Sequence, residues 1–191
     1  MADDRQLSHF PILLIRTFKN DYDKAILLIR NPLDATISTF NDLLTGKINN
    51  AYASMHKFEK YNYSQDIFPR FYRTWQNTYD LVLQNYEHPL LLVQYEKLKN
   101  NFILEMGRIL SFLGFDMTSE VKSCLLKDSI GNFKRISRPQ KEMNQIYMNF
   151  TDVQLNQVHE TYMKYLNKFQ KKINDMQIKQ NLQSKCIKYD L

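Results

Sequence analysis

Cysteine, histidine and long apolar runs are all scarce in this sequence, and each shortage closes off a class of chemistry. The two cysteines, Cys124 and Cys186, cannot build a disulfide framework, and no CxxC spacing offers a thiolate zinc site. The four histidines, His9, His56, His88 and His159, stand isolated with no second ligand at metal-binding spacing, so no metal is expected. No apolar run approaches the roughly 18 residues that cross a bilayer. The N-terminal "MADDRQLSHFPILLIRTF" starts acidic and is unlike a secretory leader. Taken as it stands, the chain reads as cytoplasmic. Sequons at Asn62-Tyr63-Ser64 and Asn149-Phe150-Thr151 would suit a secretory lumen, but they are about as many as chance supplies and decide nothing. Internal repeats and low-complexity linkers are also missing.

What is present suits one folded unit. The chain has 191 residues, enough for a single domain with a proper core. Twelve tyrosines and twelve phenylalanines within a 43% hydrophobic composition argue against disorder. The net charge of +6 favours an anionic partner: a nucleotide, a sulfated or phosphorylated substrate, a nucleic acid or an acidic membrane. Part of that charge lies after Gln170, in a polar stretch expected to fray. The dense basic patches are Lys134 to Arg138 and Lys164 to Lys188, and the second reads most simply as a solvated helix face, so nucleic acid is not the expected partner.

Short apolar runs at Pro11–Arg16, Ala25–Arg30 and His88–Glu96 predict buried strands of a parallel sheet. Between and after them lie amphipathic segments. Asn31 is a suitable cap and Pro32 a suitable first residue for a helix that carries Ala35, Ile37, Phe40, Leu43 and Leu44 inward and stops at Gly46. A second helix is expected over Asp66–Asn85, with Trp75, Tyr79, Val82 and Leu83 on one side. A third is expected over Lys97–Phe115, with Phe102, Met106, Ile109, Leu110 and Leu113 inward and Gly114 at its end. A short helix near Ser119–Leu126, a loop to Asn144, and a helix capped by Thr151 and running to about Phe169 complete an α/β layered domain.

In such sheets ligands bind beyond the carboxyl ends of the strands. Arg30 stands at one of these ends, beside the positive end of the following helix, and Ser38 lies two turns along that helix. A guanidinium fork and a hydroxyl converging there suit a phosphate. On spacing alone, Arg30 could equally pair with an acidic side chain while Ser38 merely packs.

The segment "AILLIRNPLDATISTFN" resembles the 3′-phosphate-binding segment of sulfotransferases that use 3′-phosphoadenosine 5′-phosphosulfate. "LLLVQYEKLKNNFILEMGRILSFLGF", "SIGNFKRISRP" and "NFTDVQLNQVHETY" resemble later family segments in the same order, and the chain nearly repeats the Ile-Leu-Leu-Ile-Arg-Asn-Pro run of the WSC-domain-containing sulfotransferases. The resemblance runs from Pro11 to Phe169, leaving 1–10 as an extension and 170–191 as a basic tail. It implies a P-loop-NTPase-like layer fold and transfer of a sulfuryl group to an acceptor hydroxyl on a glycan or small molecule, without a metal. It places Arg30 and Ser38 on the 3′-phosphate, Tyr95 against adenine, and Lys134 and Arg135 in the loop that reaches the 3′-phosphate.

Two departures accompany the matches. The family's phosphosulfate loop contains glycine, whereas none of Gly46, Gly107, Gly114 and Gly131 precedes the Arg30 strand. The family's Lys-Thr-His is replaced by Arg16-Thr17-Phe18. Arg16 is therefore the one catalytic candidate, supplying the lysine's charge, while phenylalanine cannot accept a proton. Asp21 and Asp23 are weak substitutes for the base. The expectation is an N-terminally incomplete domain, and two readings follow from it. One is a sulfotransferase, active or divergent. The other is a non-catalytic nucleotide-binding or interaction protein that keeps only the 3′-phosphate half-site, alone or as a homo- or heterodimer. As a piece of a longer parent, it would belong to a Golgi membrane or lumen.

Overall fold

A computed structural model describes residues 23–46, 52–128 and 138–186. Within them two strands, β1 (Ala25–Ile29) and β2 (Leu90–Gln94), pair in parallel, with Ala25 opposite Leu90 and Ile29 opposite Gln94. The connection between them is helical: α1 (Pro32–Leu44), α2 (Met55–Lys60), a π-helical turn (Tyr63–Ile67) and α3 (Phe68–Asn85). After β2 come α4 (Tyr95–Asn100), α5 (Phe102–Leu113), α6 (Ser119–Asp128), α7 (Gln140–Met148) and α8 (Asp152–Cys186). The result is an α/β structure, as the strand–helix alternation predicts. The expected strand at Pro11–Arg16 lies outside the described residues.

The start of α1 follows from three residues. The Asn31 side chain accepts a hydrogen bond from the Leu33 N–H at 2.9 Å, Pro32 occupies the first turn where no N–H is needed, and Asp34 complements the dipole. Beyond its end, Gly46 adopts φ +66°, a conformation glycine takes without strain. Ile37 and Phe40 are buried, and Leu43 and Leu44 pack at the edge of the same core.

Two apolar clusters hold the elements together. One joins α1 to α2, the π turn, α3 and α7 through Phe40, Phe58, Tyr63, Phe68, Ile146 and Phe150. The other packs one face of the sheet, Leu27, Ile29, Leu90 and Leu92, against Trp75 and Tyr79 of α3 and Tyr165 and Phe169 of α8. The opposite sheet face is closed only in part among the described residues: Val93 is buried, while Ile26 and Leu28 are 40% and 47% exposed.

Several expectations need correction. The segment Lys97–Phe115 is two helices, because Asn101 leaves helical geometry at φ −130°. Of its predicted inward residues, Phe102, Met106, Ile109 and Leu110 are half-buried and Leu113 is exposed; the buried member is Glu105, paired with Arg108. Residues 140–144, expected in a loop, belong to α7. The polar stretch after Phe169 stays helical to Cys186. Ile173 and Met176 extend the sheet-side core, and Lys172 Nζ reaches the Leu83 carbonyl at 2.6 Å.

Candidate functional site

The site lies where both strands end. β1 exits into Arg30 and Asn31, and β2 exits into Tyr95 and Glu96, so the parallel register brings these pairs side by side. The Arg30 guanidinium carbon sits 4.5 Å from the centre of the Tyr95 ring, a cation–π stack. Arg30 Nε is buried and has no hydrogen-bond partner. No salt bridge to Arg30 forms among the described residues.

The backbone around Arg30 is held from the core side. The Trp75 indole N–H donates to the Arg30 carbonyl at 3.2 Å, and the Tyr79 hydroxyl donates to the Leu28 carbonyl at 3.0 Å. Burial pushes the Tyr79 hydroxyl up to about 12, so it remains a donor at neutral pH. Glu96 accepts from the Asn31 N–H at 2.7 Å and from the Tyr162 hydroxyl at 2.9 Å. Asp34 accepts from the Tyr147 hydroxyl at 2.6 Å. Burial, then the carboxylate each one bonds, raises the pKa of both Tyr147 and Tyr162, which keeps them protonated donors.

Ser38 is half-buried on α1, one turn beyond Asp34 and on the same face. The structure thus brings together Arg30 and Tyr95 in contact, and sets Ser38 on the helix that Arg30 introduces. Tyr95, the residue the resemblance places against adenine, carries the Arg30 guanidinium on its ring. Lys134, Arg135, Arg16 and Asp21 lie outside the described residues. Asp23 is described, and it precedes β1 at the strand's amino end, on the order of 20 Å from Arg30 at the usual rise per residue. It is not part of this site.

Sequence reasoning missed Asp34, Trp75 as a donor, Glu96, Tyr147 and Tyr162. Two of them carried a signal. Asp34 falls four residues after Arg30 in a helix's first turn, and Glu96 adjoins Tyr95 in the segment already singled out.

A parallel strand exit beside a helix N-terminus is where open α/β proteins commonly bind ligands. Comparison with known proteins makes the class specific. Residues 3–185 match the family described as Sulfotransferase domain, and the chain belongs to that family. A WSCD family member of Drosophila melanogaster is 28% identical over 133 residues, which cover 66% of this chain and 42% of that protein. One from Aedes aegypti is 29% identical over 117 residues, covering 61% of this chain and 37% of that protein. The aligned region spans less than half the length of these relatives. No solved structure matches the chain significantly.

Proposed function

We propose that the strand-exit site binds the 3′-phosphate and adenine of 3′-phosphoadenosine 5′-phosphosulfate, and that the domain serves transfer of the sulfuryl group to an acceptor hydroxyl. The observation that carries this reading is the Arg30 guanidinium, positioned on Tyr95 with its Nε buried and unpaired. A buried unmet donor on a charged group is costly, and a phosphate oxygen would satisfy it with a charge-assisted bond. Membership of the sulfotransferase domain family supports the choice of nucleotide.

In this reading each residue has a limited task. Arg30 supplies charge and a fork of donors, and the first turn of α1 adds its dipole. Ser38 presents a hydroxyl on the same helix. The free face or edge of Tyr95 meets the purine while its other face steadies Arg30. Lys134 and Arg135 are further candidates for the phosphate, and Arg16 for the sulfuryl oxygens. The bound donor supplies the sulfuryl group itself, and no metal is needed for that chemistry. A layer arrangement of the P-loop type fits the same reading.

Calorimetric titration with 3′,5′-bisphosphoadenosine tests it. Binding in the micromolar range is expected, weakened on the order of tenfold to a hundredfold in Arg30→Ala, the scale of a hydrogen bond to a charged group. A folded protein that does not bind the bisphosphate, or binds it equally well without Arg30, contradicts the assignment. The sequence Arg16-Thr17-Phe18 in place of Lys-Thr-His favours a second reading, nucleotide binding without turnover. A sulfuryl-transfer assay on the same preparation separates the two.

A further inference from the structure

The peptide group between Arg30 and Asn31 is gripped at both ends by side chains. Its carbonyl accepts from Trp75 Nε1 at 3.2 Å, and its N–H donates to Glu96 Oε1 at 2.7 Å. The second of these bonds stands where the next rung of the ladder would be. The last paired residues are Ile29 and Gln94, so continuing the register sets Arg30 opposite Tyr95 and Asn31 opposite Glu96. At Tyr95, however, β2 turns into α4, and its backbone carbonyls face along the new helix. A carboxylate oxygen takes the place of the missing carbonyl.

The carboxylate is itself anchored. Glu96 Oε2 accepts from the Tyr162 hydroxyl at 2.9 Å, which ties it to α8. Glu96 therefore connects three elements: the exit of β1, the start of α4 and the long closing helix. The same turn of α4 delivers Tyr95 to the Arg30 guanidinium. With the peptide group fixed by Trp75 and Glu96, the Arg30 side chain leaves the strand in one direction and meets the ring. Without the Glu96 bond the peptide group keeps only the Trp75 contact and the hold of the flanking strand and helix, and the stack is expected to loosen.

We propose that Glu96 is a positioning residue that holds the Arg30–Asn31 peptide group so that the guanidinium lies on Tyr95. The consequence for nucleotide affinity rests on the reading given above; the positioning does not. Glu96→Gln keeps an oxygen for the Asn31 N–H, and its amide can donate to the Tyr162 hydroxyl. Glu96→Ala removes both bonds.

The experiment is NMR of protein carrying isotope-labelled arginine, with the Arg30 side-chain signals identified by their loss in Arg30→Lys. In the wild type the Tyr95 ring shifts these signals upfield, and Tyr95→Leu defines their position without the ring. The expected result is that Glu96→Ala moves them toward the Tyr95→Leu position, whereas Glu96→Gln leaves them near the wild-type position. Signals unchanged in a folded Glu96→Ala overturn the proposal. If that variant does not fold, Tyr162→Phe decides: loss of the second anchor must move the Arg30 signals the same way, and no movement overturns it. Bisphosphate titration of the same proteins separates the two claims. About a tenfold loss in Glu96→Ala with recovery in Glu96→Gln is expected if both hold. A wild type that binds no bisphosphate, yet shows the Glu96-dependent shift, leaves the positioning standing and removes the nucleotide reading.

Discussion

Two arginines in this chain have the same chemistry and opposite surroundings, and the surroundings assign their roles. Arg138 has a side chain only 7% exposed, lying between the rings of Tyr52 and Phe58 at 5.0 and 4.9 Å. Its donors are committed to the Ala53 carbonyl at 2.7 Å, Asn41 Oδ1 at 3.1 Å and Glu142 Oε2 at 2.8 Å. A guanidinium so fully used is a staple between α1, the residues before α2, and α7. Among the described residues Arg30 has one ring contact, and its buried Nε has no partner, which in the proposed reading is where a ligand oxygen would bond. Arg138→Ala is therefore expected to destabilise the fold by about 3 kcal/mol, since it strips partners from a buried site. Arg138→Lys recovers little of this, because an ammonium neither forks nor stacks in the same way. Arg30→Ala costs only about 1 kcal/mol, the worth of a single cation–π contact. Urea unfolding of the three variants checks the contrast; equal losses at the two positions contradict it. Arg30 was legible because strand exit, cap and helix are consecutive in sequence. Arg138 was not, because its enclosing residues, Asn41, Tyr52, Ala53, Phe58 and Glu142, are scattered and follow no period; it read as part of a basic loop.

Elements were legible in proportion to their length and punctuation. The helix α1 carries a cap, a proline, an apolar period and a terminal glycine, and it falls where the pattern places it. The helix α2 and the π turn that follows have six and five residues, too few to display a period, and they passed unnoticed. The break at Asn101 involves neither proline nor glycine, so a continuous apolar pattern hid it. What secures the π turn is a polar contact: the buried Tyr63 hydroxyl donates to Thr36 Oγ1 of α1 at 2.9 Å. Thr36→Val orphans that hydroxyl and is expected to cost about 1–3 kcal/mol, while Thr36→Val combined with Tyr63→Phe recovers most of the loss. A double-mutant cycle in urea measures this. Additive losses would show that the bond does not couple the two elements.

At the scale of the whole molecule, tyrosine is the structural residue. Tyr63, Tyr79, Tyr147, Tyr162 and Tyr165 all have pKa values raised above the usual 10.0, with burial the largest cause in each. Three of them donate to the framework of the site: Tyr79 to the Leu28 carbonyl, Tyr147 to Asp34 and Tyr162 to Glu96. The sign of the pH effect follows. The folded state holds these protons more tightly than the unfolded chain, so the stability they contribute is complete below pH 10.0 and is lost above it, that of Tyr79 as pH rises through about 12. Urea midpoints should be flat with pH up to about 10 and fall above it, and absorbance at alkaline pH should show tyrosines titrating late until the protein unfolds. Titration of all twelve tyrosines near pH 10 in the folded protein would contradict this account. The two-stranded parallel pairing was legible from the apolar runs. The tyrosine framework was not, since its donors come from helices and its acceptors from β1, α1 and α4, far away in sequence.

The central claim is that Arg30 reads a 3′-phosphate. The most direct test compares 3′,5′-bisphosphoadenosine with adenosine 5′-phosphate, which lacks that group, on wild type and Arg30→Ala. The account predicts a preference for the bisphosphate of about tenfold or more in the wild type, falling close to unity in the variant. A preference that survives the loss of Arg30, or none in a folded wild type, would contradict it.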